Sequence, residues 1–174
     1  QEYHEQRWYA PVGQLNIDQE HKLSLYGLWD IISTSHHNLN LSVLFSFLSG
    51  TPYSAVGEVD SVPYVGDPAD LGYAGGPGLE TYFFSDKGAF TTDDVTRVDL
   101  ALNYSFFVNM FGTEVEMFIQ PEVLNVFNED AVTDPNTTVL DATSGDYAAF
   151  NPFTETPVQG VNWDLGPDWG EPQN

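Results

Sequence analysis

Cysteine is absent from the 174 residues, which removes disulfide scaffolds, thiolate zinc sites and cysteine nucleophiles together. Cationic side chains are nearly as scarce. Four Lys plus Arg stand against 26 Asp plus Glu, a formal net charge of −22. Such a chain repels nucleic-acid phosphates and anionic membrane surfaces, so no nucleic-acid partner is expected. No run of about eighteen apolar residues occurs, so no transmembrane helix is expected either. The N-terminal QEYHEQRWYAPVG has no basic region followed by an apolar one and does not read as a signal peptide; Gln1 in place of methionine reads as a mature or truncated product. These absences leave a β-barrel open, because barrels cross a bilayer in alternating segments of about ten residues rather than in apolar helices.

What is present is alternation with a period of two. Four segments carry it, at residues 22–33, 39–49, 96–108 and 114–127, and almost nothing reads at helical spacing. In the first, Leu23, Leu25, Gly27, Trp29 and Ile31 oppose Lys22, Ser24, Tyr26, Leu28 and Asp30. In the second, Leu39, Leu41, Val43, Phe45 and Phe47 oppose Asn40, Ser42, Leu44, Ser46 and Leu48. The third sets Val98, Leu100, Leu102, Tyr104, Phe106 and Val108 against Arg97, Asp99, Ala101, Asn103 and Ser105. The fourth sets Val115, Met117, Ile119, Pro121 and Val123 against Glu116, Phe118, Gln120 and Glu122.

Lys22, Asp30, Arg97, Asp99, Glu116 and Glu122 all fall on the more polar parity, and the other parity carries no charge. A lipid-facing surface demands that, since Arg or Lys near the bilayer midplane costs about 2–4 kcal/mol. A β-sandwich would alternate in the same way, but its strands more usually run about five or six residues. Segment length therefore favours an all-β, antiparallel transmembrane barrel over a sandwich.

The connections are of two kinds. Short turns, around 34–38 and 109–113, alternate with long stretches at 50–95 and 128–174 that are rich in Gly, Pro, Asp and Asn. Short periplasmic turns opposite long extracellular loops are the outer-membrane pattern. Seventeen of the 26 acidic residues lie in the two long stretches, which puts the acidity at the solvent end. Aromatic residues gather where strands meet connections, Trp8, Tyr9, Tyr53 and Phe127 at one end and Phe106, Phe107 and Phe111 at the other, as in interfacial girdles.

Catalytic and metal-binding patterns are thin. His36 and His37 are adjacent, so on a strand they point to opposite faces, and a solvated turn accounts for them. Glu116 and Glu122 share a parity but lie about 20 Å apart along a strand, too far for a paired-carboxylate site. The glycine-rich Gly72–Gly78 lacks the Lys-Ser/Thr of a phosphate loop. Acidic loop clusters such as Asp93-Asp94, or Asp164 with Asp168, offer oxygen ligands for Ca²⁺ but lack EF-hand spacing, so no cofactor is assigned. No Ser/His/Asp constellation points to an enzyme. Tyr53, Tyr82, Phe83, Phe84, Trp163 and Trp169 are the candidates for stacking on a ligand. Arg97, Asp99, Asn103, Glu116, Gln120 and Glu122 are the candidates for a polar lumen.

Asp94-Val95-Thr96-Arg97-Val98-Asp99-Leu100 resembles the Thr-Arg-x-Asp-Leu opening of a late barrel strand in TonB-dependent outer-membrane receptors. Val123-Leu124-Asn125-Val126-Phe127-Asn128 is similar to the Asn-[Leu/Val]-Phe-Asn signature of their next-to-last strand, and Leu48-Ser49-Gly50-Thr51-Pro52-Tyr53 to a strand-end Ser-Gly-x-Pro-Tyr. With Tyr82–Phe90 and Gln120–Val123, the pattern is closest to the Oar-like subgroup. The resemblance implies a barrel of 22 strands, of which these would be roughly strands eighteen to twenty-one, with long extracellular loops and an N-terminal plug. It implies a bacterial outer membrane, with its lipid and lipopolysaccharide, the rest of the barrel and the TonB complex as partners, and uptake of a bulky nutrient such as a siderophore, carbohydrate or peptide. Four strands leave two unpaired edges, which lipid does not tolerate, so a complete transporter needs strands from elsewhere. On this reading Glu122 points into a wet lumen, Pro121 faces lipid at a local bulge, and Asn128 ends the strand. The rival readings are a soluble or surface-attached β-sandwich, an adhesin or carbohydrate-binding module, and a passive porin.

Overall fold

The computed structural model describes residues 12–64 and 78–173. Trp8, Tyr9 and most of the glycine-rich stretch lie outside these residues. Within them the protein is all-β, antiparallel, and free of α-helix. In chain order the strands are β1 (Lys22–Ser33), β2 (His37–Leu48), β3 (Pro52–Tyr53), β4 (Val56–Asp60), β5 (Leu79–Phe83), β6 (Phe90–Thr91), β7 (Val95–Met110), β8 (Thr113–Ile119), β9 (Glu122–Val123), β10 (Leu140–Asp141) and β11 (Trp163–Asp164). Two compact units divide them. One, the sheet unit, comprises Gln19–Gly50 and Asp93–Ala131; the other, the connection unit, is built from Thr51–Thr92 and Val132–Asn174 with the segment before Gln19.

The sheet unit is a single antiparallel layer ordered β1-β2-β7-β8, with β9 also on β7. It is open: among the described residues its outer strands do not close on each other. Its strands start and stop within a few residues of the alternating segments, except the fourth, which the structure breaks. β8 ends at Ile119, and β9 resumes at Glu122. The cause is Pro121. The Leu102 N–H donates to its carbonyl at 3.0 Å, but proline has no N–H to return to Leu102, so the ladder loses one bond. The expected bulge is not there. Tyr104 pairs with Ile119 and Ala101 with Glu122, so the register runs unshifted through the proline.

The irregularities fall elsewhere. In β1 the register shifts between Asp30 and Ile32, which makes Ile31 an extra residue and turns Ile32 to face Leu39 across the pair. After β9 the Val126 N–H bonds the Val98 carbonyl, one place out of step with the preceding pairs, and Asn125 sits at φ 50°. Its side chain closes the turn, accepting from the Glu129 N–H at 3.1 Å and donating to the Glu129 carbonyl at 2.8 Å. Asn125 rather than Asn128 is thus the amide that ends the strand, and β9 stops at Val123, short of the expected Phe127.

The connection unit is not loop throughout. β4 pairs β5, β3 pairs β6, β10 pairs β11, and residues 137–139 lie parallel beside β4 through Val56 N–H to Thr137 O and Val139 N–H to Val56 O bonds. Seven side chains form its core: Ala55, Val59, Tyr82, Phe84, Val139, Phe150 and Trp163. The rings of Tyr82, Phe84 and Phe150 meet edge to face at 4.9–6.1 Å between centroids, and Trp163 lies against Phe84 at 5.3 Å. Such pairs each add about 0.5–1.5 kcal/mol beyond area burial. Gly57 makes this density possible, because a Cβ there would stand 2.5 Å from Asp141 Oδ2 and 2.8 Å from atoms of Phe84 and Val139. All the buried hydrophobic side chains among the described residues belong to this unit.

Candidate functional site

The register decides what the alternation means. Directly opposed residues of antiparallel strands share a face. Trp29 pairs with Leu41 and Leu41 with Leu102; Gly27 pairs with Val43, Val43 with Leu100, and Leu100 with Val123. The four charge-free parities therefore coincide on one face of the sheet, which runs across every strand without a charged side chain. Ile32, Leu39, Leu102, Tyr104, Ile119 and Pro121 line a shallow hollow on it, which places Pro121 on the apolar side as expected. No described residue buries this face: Leu25 remains 56% exposed, Trp29 54% and Ile119 58%. The Trp29 indole lies along the sheet over Gly27, where a Cβ would come within 2.4–3.1 Å of the ring, so glycine leaves room for the flat aromatic.

The opposite face gathers the polar candidates. Arg97, Asp99 and Asn103 share it with Glu116, Gln120 and Glu122 through the pairs Phe107 with Glu116 and Ala101 with Glu122. Arg97 Nε donates to Asp99 Oδ1 at 2.7 Å, and the same oxygen accepts the Asn125 N–H at 2.8 Å. Asp99 thus ties the end of the fourth strand to β7. Gln120 Nε2 donates to Glu122 Oε1 at 3.1 Å, and Asn103 lies opposite Asn40. This face is polar but not uniformly so, since Tyr26, Leu28 and Phe118 stand on it 70%, 55% and 74% exposed.

At the short-turn end the two histidines part, His37 opening β2 and His36 lying in the turn before it. His37 stacks on Tyr104 with Nδ1 3.0 Å from its hydroxyl, and Tyr104 stacks on Phe106. His36 meets Phe107 edge-on and lies 3.7 Å from Glu114. Phe111, fully exposed in the β7–β8 turn at φ 55°, extends this aromatic end.

The six ligand-stacking candidates separate into packing and surface residues. Tyr82, Phe84 and Trp163 are buried in the connection-unit core, where no ligand reaches their faces, and their role is packing. Tyr53 and Trp169 form a half-buried cluster with Phe90, at 5.2–5.8 Å between centroids. Phe83 is half-buried at the end of β5. None of the six lines a hollow of about 370 Å³ in this unit, bounded by residues that include Glu58, Asp60, Tyr64, Leu79, Asp141 and Phe150. Its signal in the sequence is the alternation Val56-Gly57-Glu58-Val59-Asp60, which turns Gly57 and Val59 inward and both carboxylates outward.

Asp141 is the structural acid of this region. Buried to 4% exposure, its carboxylate accepts from the Glu58 N–H at 2.8 Å, the Thr143 N–H at 2.8 Å and the Thr143 hydroxyl at 2.5 Å. Asp164 accepts from Gln159 Nε2 and from the Leu165 N–H; these bonds, the first above all, hold its carboxyl below the ordinary carboxylate range. Among the described residues no three His, Cys, Asp or Glu side chains converge as a metal site. Comparison with family models, with curated proteins and with solved structures found no match.

Proposed function

We propose that the chain is a portion of an outer-membrane β-barrel of the TonB-dependent receptor type, closest to the Oar-like subgroup, that takes part in uptake of a bulky nutrient. One observation carries the reading: a charge-free face crosses the three long strands β1, β2 and β7 and continues in register over the shorter β8 and β9, with no core beneath it among the described residues. In water an apolar surface of that extent is a liability, whereas lipid is its natural solvent. Strand length agrees. β1 and β2 have 12 residues each. At about 3.3 Å per residue and a tilt of about 45° they span about 28 Å of the membrane normal, close to the hydrocarbon thickness of about 25–30 Å.

The remaining features fit the same picture. The Arg97–Asp99–Glu122 face suits a wet lumen, and exposed Tyr26, Leu28 and Phe118 on it suit contact with a plug rather than a column of water. The open outer edges call for further strands of the same barrel. The connection unit, with its own core and most of the acidic residues, would be the ligand-facing part. Energy would come from the TonB complex of the inner membrane, and transport would be binding and gated passage without covalent chemistry.

Purification with and without detergent, followed by intact mass and peptide mapping, tests this. The expected result is a polypeptide several times 19.3 kDa, recovered only in detergent, with peptides preceding Gln1 and following Asn174. A monodisperse 19.3 kDa protein that stays in solution without detergent would overturn it in favour of a β-sandwich adhesin or carbohydrate-binding module.

A further inference from the structure

The hollow beside β4 is unused by the reading above. We infer that it is a binding site for a small organic cation with an apolar body, such as a basic dipeptide. Its volume of about 370 Å³ lies at the small end of the range for ligand pockets, about 300–1,000 Å³. Leu79, which shares the face of Asp60 across the β4–β5 pair, and Phe150 give it apolar surface, and Tyr64 adds aromatic surface. The walls are fixed: Phe150 and Val59 belong to the core, and Asp141 holds the β4 backbone at Glu58 against the 142–144 turn through its three accepted bonds. With its oxygens committed to those donors, Asp141 positions the site.

The charge that selects a ligand comes from Glu58 and Asp60. Both lie on the outward parity of β4 and both line the cavity. Asp60 Oδ1 caps the Val62 N–H at 3.0 Å, and neither carboxylate has a salt bridge among the described residues. Lys87 is the one Lys or Arg among the described residues of this unit, and it does not line the cavity. An anionic guest would therefore meet uncompensated repulsion, while a cation is drawn toward the mouth by the field of the whole unit. The apolar walls discriminate further, since a bare metal ion or ammonium gains nothing from Leu79 and Phe150.

The test is calorimetric titration of the purified protein with leucyl-lysine amide, alongside leucyl-glutamate of similar size. The expected result is saturable binding of the amide, at least tenfold tighter than leucyl-glutamate and weakened between 50 and 300 mM salt. The double variant Glu58→Gln/Asp60→Asn, whose new amide at position 60 keeps an oxygen to cap the Val62 N–H, should lose at least tenfold in affinity at unchanged melting temperature. Glu129→Gln/Asp130→Asn, an equal charge change in the sheet unit, should bind as the parent does. Equal affinity for the two peptides, unchanged binding in the Glu58/Asp60 variant, or no binding at millimolar peptide would each overturn the proposal. The measurement is independent of the membrane reading: a protein that needs no detergent can still bind the amide, and a detergent-extracted barrel can still fail to.

Discussion

Two adjacent residues of β7 separate a lipid-facing sheet from a merely exposed one. Leu100 lies between Val43 and Val123 on the charge-free face, and Ala101 lies between Ser42 and Glu122 on the other. Arginine placed at each position in turn makes the same chemical change one residue apart. If the apolar face meets lipid, Leu100→Arg sets a cation near mid-strand in hydrocarbon, at a cost of about 2–4 kcal/mol. That is about a 30- to 1,000-fold loss in the ratio of folded to unfolded protein. Ala101→Arg enters the polar face directly opposite Glu122, where a cross-strand ion pair returns about 0.2–1 kcal/mol, so its net effect should be near zero. In water Leu100 and Ala101 are both half-buried neighbours on one strand with no core beneath either, so the two substitutions would cost the same to within about 0.5 kcal/mol. The assay is reversible urea unfolding of protein reconstituted in phosphatidylcholine vesicles, read by tryptophan fluorescence. A difference between the variants below about 0.5 kcal/mol, or a larger loss for Ala101→Arg, would refute the assignment of the faces.

Three further outcomes are expected. Gly57→Ala should destabilise the connection unit by about 1–3 kcal/mol through overpacking against Asp141, Phe84 and Val139, lowering its melting point by several degrees in near-ultraviolet circular dichroism. Tyr82→Ala removes the largest fully buried side chain among the described residues and should cost about 3–5 kcal/mol, with loss of the same aromatic signal. Because the folded carboxyl of Asp164 titrates below its unfolded value, its contribution is fully present above the ordinary carboxylate range and is lost as pH falls through the folded pKa; Gln159→Leu should move that titration upward in a carbon-13 NMR experiment.

The sheet was the legible part. A period of two over a dozen residues fixes both strand identity and face, and the register then aligned four parities that the sequence presents separately. The breaks were only half legible. Proline announces its missing donor, but whether the chain slips there depends on the partner strand, and β7 keeps step past Pro121 to slip at Asn125 instead. The connection unit was the illegible part, because its order arises from contacts between distant segments. Ala55, Phe84 and Val139 share no period and no motif, so stretches rich in Gly, Pro and Asp read as loop. Three of the six aromatic candidates, Tyr82, Phe84 and Trp163, were misplaced for the same reason. Composition marks Tyr82 and Trp163 as stacking surfaces, and only tertiary packing reveals them as core. The cavity residues carried a readable clue in the Glu58/Asp60 alternation, but its apolar walls come from β5 and from Phe150, far along the chain.

The scattered origin of the connection-unit core has a consequence in time. Ala55 and Tyr82 are made early, whereas Val139, Phe150 and Trp163 emerge only after β7, β8 and β9. The β1–β2 hairpin can zip up as soon as its own residues exist, since its closing turn is local, but the aromatic cluster must wait for nearly the whole chain. Until then Tyr82 and Phe84 have few of their final neighbours and are exposed to aggregation or to a chaperone's grip. The strands of the sheet are thus the early event and the connection unit the late one. A stalled or shortened chain ending before residue 139 would keep its hairpin and lack the means to build the aromatic core.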